Sequence, residues 1–238
     1  MHDAAENRSY PRYALTLLTV NLLNYIDRQV YRLLRFFFAL YLRMFHLLRI
    51  KGMAQVPVDG PVILCANHSS YFDSMLLALC TRRQVHFLIH HSFYRHPLLG
   101  WFVRKCGAIP VAQSGNDKEA MSRALAILKG GGVLGIFPEG RLSRTGLPDE
   151  GKPGAALLAA ASGAVIVPVT ISGAYAVFPK GRQRPGGGTI LVEVHRPVKA
   201  DRTRRKDKGY LRGVTDEVMG RISRRLTAYM RRRSKQHV

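Results

Sequence analysis

The chain has 238 residues and a formal net charge of +22, from 37 Lys and Arg against 15 Asp and Glu. That length gives one domain with a full core plus terminal extensions, and 47% hydrophobic residues exclude a wholly disordered chain. The positive excess points to polyanionic neighbours: nucleic acid, an anionic lipid surface or phosphorylated substrates.

Residues 1–27 read as a leader, without the basic-then-apolar order of a secretory signal. The apolar stretch 13–26 is shorter than the ~20 residues a bilayer crossing needs, and Asn21 and Asn24 interrupt it. It could insert only by borrowing residues that follow. Residues 28–50, RQVYRLLRFFFALYLRMFHLLRI, carry a helical period. At roughly 100° per residue, Arg28, Arg32, Arg35, Arg43, His46 and Arg49 fall on an arc of about 120°, opposite Phe36, Phe37, Leu40, Met44, Leu47 and Leu48. This predicts an amphipathic helix lying in a membrane interface; the alternative is a helix packed on the core with a solvated basic face.

Residues 51–200 alternate short apolar runs with helix-period segments. Strands are expected at 61–66, 85–89, 107–111, 133–137, 164–171 and 189–194, and helices at 71–81, 97–105, 117–130 and 153–162. The fold class is therefore α/β: a single layered domain whose mostly buried mixed sheet is flanked by helices. Residues 180–188, KGRQRPGGG, read as a flexible loop. Residues 201–238 read as a basic linker and a C-terminal basic helix, with Leu211, Val214, Val218, Ile222 and Leu226 on one side. Cys65, Cys80 and Cys106 are odd in number and spread apart, which excludes a disulfide framework and favours a reducing compartment.

Two stretches could carry chemistry. In NHSSYFD, His68 follows an expected strand and precedes an expected helix, five positions before Asp73. Between residues 28 and 116 the only acids are Asp59 and Asp73. Five residues of regular helix would put the side chains about 140° apart, so the pair works only across a turn, for which Asn67, Ser69 and Ser70 supply the chemistry. Asp73 would then fix one ring nitrogen and leave the other as a base. The plainer alternative is a loop histidine beside a helix-starting cap. In FPEGRLSRTG, Glu139 and Gly140 follow a strand and precede Arg141 and Arg144, planar donors suited to phosphate. There the plainer alternative is a basic loop with Glu139 in a local ion pair.

GLPDEGK, residues 146–152, mimics a phosphate loop but has Pro153 where Ser or Thr is required. No GxSxG nucleophile elbow occurs. His86, His90, His91 and His96 have no acid or cysteine among them, so no metal and no cofactor is expected.

NHSSYFD, GAIPV, FPEGRLS and IVPVTI, in that order, resemble the four sequence blocks of the glycerolipid acyltransferases, nearest to the 1-acyl-glycerol-3-phosphate acyltransferase branch. The resemblance covers residues 45–200 and maps the family's HX4D motif onto His68 and Asp73. It implies transfer of an acyl chain from acyl-CoA or acyl carrier protein to a lysophospholipid hydroxyl, at the cytoplasmic face of the cell membrane. His68 would be the base and Asp73 its orienting partner, Glu139, Gly140 and Arg141 would line the acceptor site, and backbone N–H groups near His68 or Gly140 would meet the oxyanion. Another lysophospholipid, or glycerol 3-phosphate, is the alternative acceptor. Two positions depart from the family's form. After FPEG this chain has Arg141, Leu142 and Ser143 in place of Thr-Arg-Ser, and Gln113 stands where an arginine often follows the second block. Arg141, Arg144, Arg104 and Lys105 are the candidates to hold the acceptor phosphate instead.

Residues 10–30 separately resemble the opening of the first membrane helix of a spinster-type major-facilitator transporter, and nothing after residue 30 continues that pattern. A basic nucleic-acid-binding protein is the remote alternative. It would need a reader module that this sequence lacks, so no nucleic-acid partner is expected.

Overall fold

The structure, a computed structural model, describes residues 10–111 and 117–235, with side chains from residue 25 onward. Gln113 lies outside the described residues. The strands are β1 (Leu47–Lys51), β2 (Val62–Ala66), β3 (Val85–His90), β4 (Ile109–Val111), β5 (Val133–Ile136), β6 (Val165–Ser172), β7 (Thr189–Val194) and β8 (Val198–Lys199). The helices are α1 (Tyr10–Phe45), α2 (Asp73–Ala78), α3 (Ser92–Arg95), α4 (Pro97–Lys105), α5 (Lys118–Lys129), α6 (Gly154–Ser162), α7 (Ala174–Val177) and α8 (Lys208–Lys235).

The strands form one sheet in the order β1-β7-β6-β2-β5-β3-β4, with β8 also pairing β6. From β6 to β4 neighbours are parallel, while β7 and β8 run antiparallel to β6. Parallel neighbours need crossovers, and α2, α4, α5 and α6 supply them. Because helices cover both faces, β2 reads as an unbroken apolar run, VILCA, buried at every position. One core cluster lies beneath α1 and α2 and includes Leu64, Leu76 and Val169; the other lies beneath α5, α6 and α8 and includes Ile63, Leu128 and Ile222. Cys65, Cys80 and Cys106 are buried free thiols, and burial pushes the first two up to about 12.

Two expectations need correction. The helix expected to run to residue 50 stops at Phe45, and Leu47–Lys51 is instead a strand parallel to β7. Leu48 and Ile50 turn inward while Leu47, Arg49 and Lys51 turn outward, a period of two hidden within a longer helical period. The C-terminal helix is not an appendage: Leu211, Val214, Val218 and Ile222 of α8 are buried in the second cluster, and Leu226 is buried further along the same face.

Helix α1 is continuous from Tyr10, so the transporter-like stretch runs without a break into the arginine-bearing one. Its inner face, with Tyr31 and Leu42 buried and Phe38 against them, covers the sheet. Its outer face leaves Leu33, Phe36, Phe37, Leu40 and Met44 exposed. The expected arginine stripe is split. Arg35 turns inward to donate to the Thr81 carbonyl, and His46 is buried beside Tyr41 and Phe72, while Arg32 and Arg43 stay outside. Among the described residues, no helix is long and apolar enough to cross a membrane.

Candidate active site

β2 pairs with both β5 and β6, and the loops leaving the carboxyl ends of β2 and β5 meet there. Asn67, the first residue past β2, is buried and extends the ladder with its side chain. Its Nδ2 donates to the Ile171 carbonyl at 2.9 Å and its Oδ1 accepts from the Ile171 N–H at 2.8 Å. The backbone then turns, which brings His68 Nδ1 within 3.0 Å of Asp73 Oδ2. The same oxygen accepts from the Ser69 and Ser70 N–H groups at 2.6 and 2.7 Å. Asp73 is fully buried and His68 is 21% exposed, so the carboxylate is fixed and the imidazole reaches the surface of the cleft. With Nδ1 engaged by a carboxylate, the remaining ring nitrogen, Nε2, is the one free to take a proton.

The β5 loop clamps the same histidine from the other side. Phe137 stacks on its ring with centroids 4.0 Å apart and planes 13° apart. Glu139 accepts from the His68 N–H at 2.9 Å through Oε1 and from the Asp149 N–H at 3.1 Å through Oε2. Ser143 donates its N–H to the His68 carbonyl at 2.7 Å. Glu139 is buried, and desolvation raises its carboxyl above the ordinary range, against the lowering effect of these two N–H donors. Its contacts serve the backbone of the histidine loop, so the local ion pair considered for it is replaced by a structural bridge. Gly140 has φ 69°, a left-handed conformation that favours glycine, and the flexible end of Lys152 lies over it.

The expected oxyanion donors are otherwise occupied. The N–H groups of His68, Ser69 and Ser70 serve Glu139 and Asp73, and that of Gly140 bonds the Phe137 carbonyl. Lys152 places its ammonium over Gly140 in this turn.

The four candidate cations are dispersed. Arg141 is 74% exposed and pairs with Asp149 at 3.0 Å. Arg144 lines a cavity of about 200 Å³ with Ser143, Tyr175 and Lys180. Arg104 donates to the Tyr94 carbonyl at 3.3 Å, and Lys105 pairs with Asp27 of α1 at 2.6 Å. Gln84, just before β3, donates to the Cys106 carbonyl, which places the end of α4 at the opposite end of the strands from His68. Lys105 therefore ties α1 to the domain and does not face the cleft. Lys180 and Tyr175 escaped sequence reading because they lie in or near a loop without periodicity. Three of the histidines set aside as metal ligands have separate partners, His86 the Gly107 carbonyl, His90 the Ser92 hydroxyl and His96 the Leu99 N–H, while His91 packs its ring against His90 and has a buried Nδ1 without a partner among the described residues.

An imidazole oriented by a buried carboxylate, at the carboxyl ends of a mostly parallel sheet, is an arrangement chemically able to take up a proton from a bound hydroxyl. Residues 47–172 match the family model described as Acyltransferase, and the chain belongs to that family. It is 28% identical over 158 residues to the chloroplastic 1-acyl-sn-glycerol-3-phosphate acyltransferase LPAT1 of Arabidopsis thaliana, covering 65% of this chain and 44% of that protein. It is 24% identical over 140 residues to the 1-acyl-sn-glycerol-3-phosphate acyltransferase of Bacillus subtilis, covering 57% of this chain and 69% of that one. The chain thus spans less than half the length of the chloroplastic relative. The fold resembles the crystal structure of the 1-acyl-sn-glycerophosphate acyltransferase PlsC from Thermotoga maritima, with TM-score 0.72, 25% identity, and coverage of 91% of this chain and 89% of that one.

Proposed function

We propose that this chain moves a fatty acyl group from acyl-CoA or acyl carrier protein to the free hydroxyl of 1-acylglycerol 3-phosphate, yielding phosphatidate. The observation that carries the reading is the His68–Asp73 pair at 3.0 Å, held by Glu139 from the facing loop at the His68 backbone. The names of the relatives supply the substrate class. His68 Nε2 accepts the hydroxyl proton as that oxygen attacks the thioester carbonyl carbon, and Asp73 stabilises the imidazolium. The tetrahedral oxyanion, met by a cation such as Lys152, collapses and expels the thiolate, which takes the proton back from His68.

Arg144 and Lys180 hold the acceptor phosphate in this scheme, since they share one cavity and Ser143 links it to the His68 carbonyl. Arg141 contributes less, because Asp149 already neutralises it at an exposed position. Arg144→Ala and Lys180→Ala are each expected to raise the acceptor KM about tenfold or more, the cost of one charged hydrogen bond, with the donor KM unchanged. An assay of wild type against lysophosphatidate, lysophosphatidylglycerol and glycerol 3-phosphate tests the acceptor. Equal rates on the first two, with an unmoved acceptor KM in both variants, would sink the phosphate assignment.

The same proposal places the chain on the cytoplasmic face of the cell membrane, with the outer face of α1 in the lipid interface. Exposed Phe36, Phe37 and Leu40 beside Arg32 and Arg43 support it. Replacing Phe36 and Phe37 with Ser should weaken binding to phosphatidylglycerol vesicles by at least tenfold, given about 1.5 kcal/mol or more per buried ring. Neutralising Arg32 and Arg43 should cost roughly 1 kcal/mol each, a loss that shrinks as salt rises. Co-sedimentation unchanged by both sets of substitutions would leave α1 as a helix of the fold only.

A further inference from the structure

A second cavity, of about 290 Å³, reaches Ser69 and lies between the loop at Gly146, α7 and the last turns of α8. Ser69, the residue next to the base, lines it at the catalytic loop; Leu226 and Met230 give it an apolar wall, and Arg233 lines it near the end of α8. Tyr175 lines both this groove and the Arg144 cavity, so one ring stands between them. Gly146, at φ 80°, presses against that ring: a Cβ would come within 2.8 Å of it, so the partition depends on a glycine.

One further observation bears on what the groove holds. Three of the earlier arginines of α8 are answered by acids, Arg212 by Glu150 and Asp216, Arg221 by Glu217, and Arg225 by Glu193, while Arg224 makes no ion pair among the described residues. Arg231, Arg232, Arg233 and Lys235 in its last turns make no ion pair among the described residues. An alkyl chain would meet the apolar wall but leave the cations unanswered. A bare anion would answer the cations and leave the wall idle.

We propose that this groove seats the phosphopantetheine arm of the acyl donor, an inference that rests on the acyl-transfer reading above. The arm has the required pattern: a thioester at one end, an extended and largely uncharged stem carrying amides, and a phosphate at the other end. Its thioester lies by Ser69, within reach of an acceptor hydroxyl whose phosphate occupies the far side of Tyr175. Its phosphate meets Arg233 and the neighbouring cations. CoA and acyl carrier protein share this arm, so either donor fits.

The test is calorimetric binding of non-transferable thioethers to the full chain in detergent. S-dodecyl phosphopantetheine is the core probe, S-dodecyl-CoA and a carrier protein bearing the same group distinguish the sources, and dodecyl phosphate stands in for the acceptor. Arg233→Gln and Met230→Trp should each weaken S-dodecyl phosphopantetheine about tenfold or more while dodecyl phosphate binds as before; Met230→Ala serves if the larger side chain unfolds the helix. Whichever carrier binds the wild type names the source, and its binding should fall in step. Unchanged thioether binding overturns the inference. So does an equal loss of dodecyl phosphate, which would make the groove a seat for the acceptor's chain. Acyl transfer by the wild type is measured alongside. Transfer with unaffected thioether binding removes this inference alone, whereas no transfer from any donor removes the acyltransferase reading itself.

Discussion

His68→Ala is expected to give a folded protein whose acyl transfer falls by about 10² to 10⁴, the usual contribution of a positioned general base. Truncation removes the stacking on Phe137 but leaves the Ser69 and Ser70 N–H bonds to Asp73 that hold the turn. Asp73→Asn separates charge from geometry. Asp73 Oδ2 accepts all three hydrogen bonds, whereas Oδ1 is buried without a partner among the described residues. An introduced amide can put its oxygen where Oδ2 lies and its nitrogen where Oδ1 lies, keeping the turn and the Nδ1–H tautomer. What disappears is the negative charge beside the developing imidazolium. We expect kcat to fall about 10²-fold or more with substrate KM values little changed, and the protein to lose about 1–3 kcal/mol of stability from the unsatisfied amide. Near-wild-type turnover by either folded variant would remove His68 from the role of base or reduce Asp73 to a turn former.

Asn67→Leu is expected to cost about 2–6 kcal/mol of folding stability, because it strands two buried backbone groups of Ile171 at about 1–3 kcal/mol each. Against a typical total of about 5–15 kcal/mol, this brings the domain close to unfolding. Asn67→Asp should lose at least as much at neutral pH, since it sets a buried carboxylate oxygen against the Ile171 carbonyl that Asn67 now donates to. Urea denaturation of the three proteins measures both values. A loss below about 1 kcal/mol for Asn67→Leu would mean that the ladder closes without the side chain.

The inner strands were legible in the sequence because each is short, apolar, rich in Val and Ile and bounded by turn residues, as in VILCA and VHFLI. β1 was not, because Leu47 and Leu48 prolong the helical period of α1 and the partner strand that overrides it, β7, lies far along the chain. The turn between His68 and Asp73 could be anticipated from Asn67, Ser69 and Ser70. The bridging of Glu139 to the His68 backbone could not, since nothing local marks which backbone group a buried carboxylate will meet. Lys105 misled for a related reason: its charge is visible in sequence, but its tie to Asp27 and its place at the far end of the strands depend on how α1 and α4 pack. Tyr175 and Lys180 reach the Arg144 cavity from the one-turn helix α7 and the loop after it, too short for any periodicity to announce.

The reciprocal bonds between the two loops, His68 N–H to Glu139 and Ser143 N–H to the His68 carbonyl, have an evolutionary reading. Neither loop is a portable module. Transplanting NHSSYFD alone into another α/β scaffold would move the histidine without the carboxylate and amide that fix its backbone, and transplanting FPEGRLS alone would move a clamp with nothing to hold. Drift in one loop is therefore tolerated only in step with the other, so departures such as Arg141-Leu142 should accumulate on the outward-facing side of the loop, leaving the residues that grip His68 unchanged.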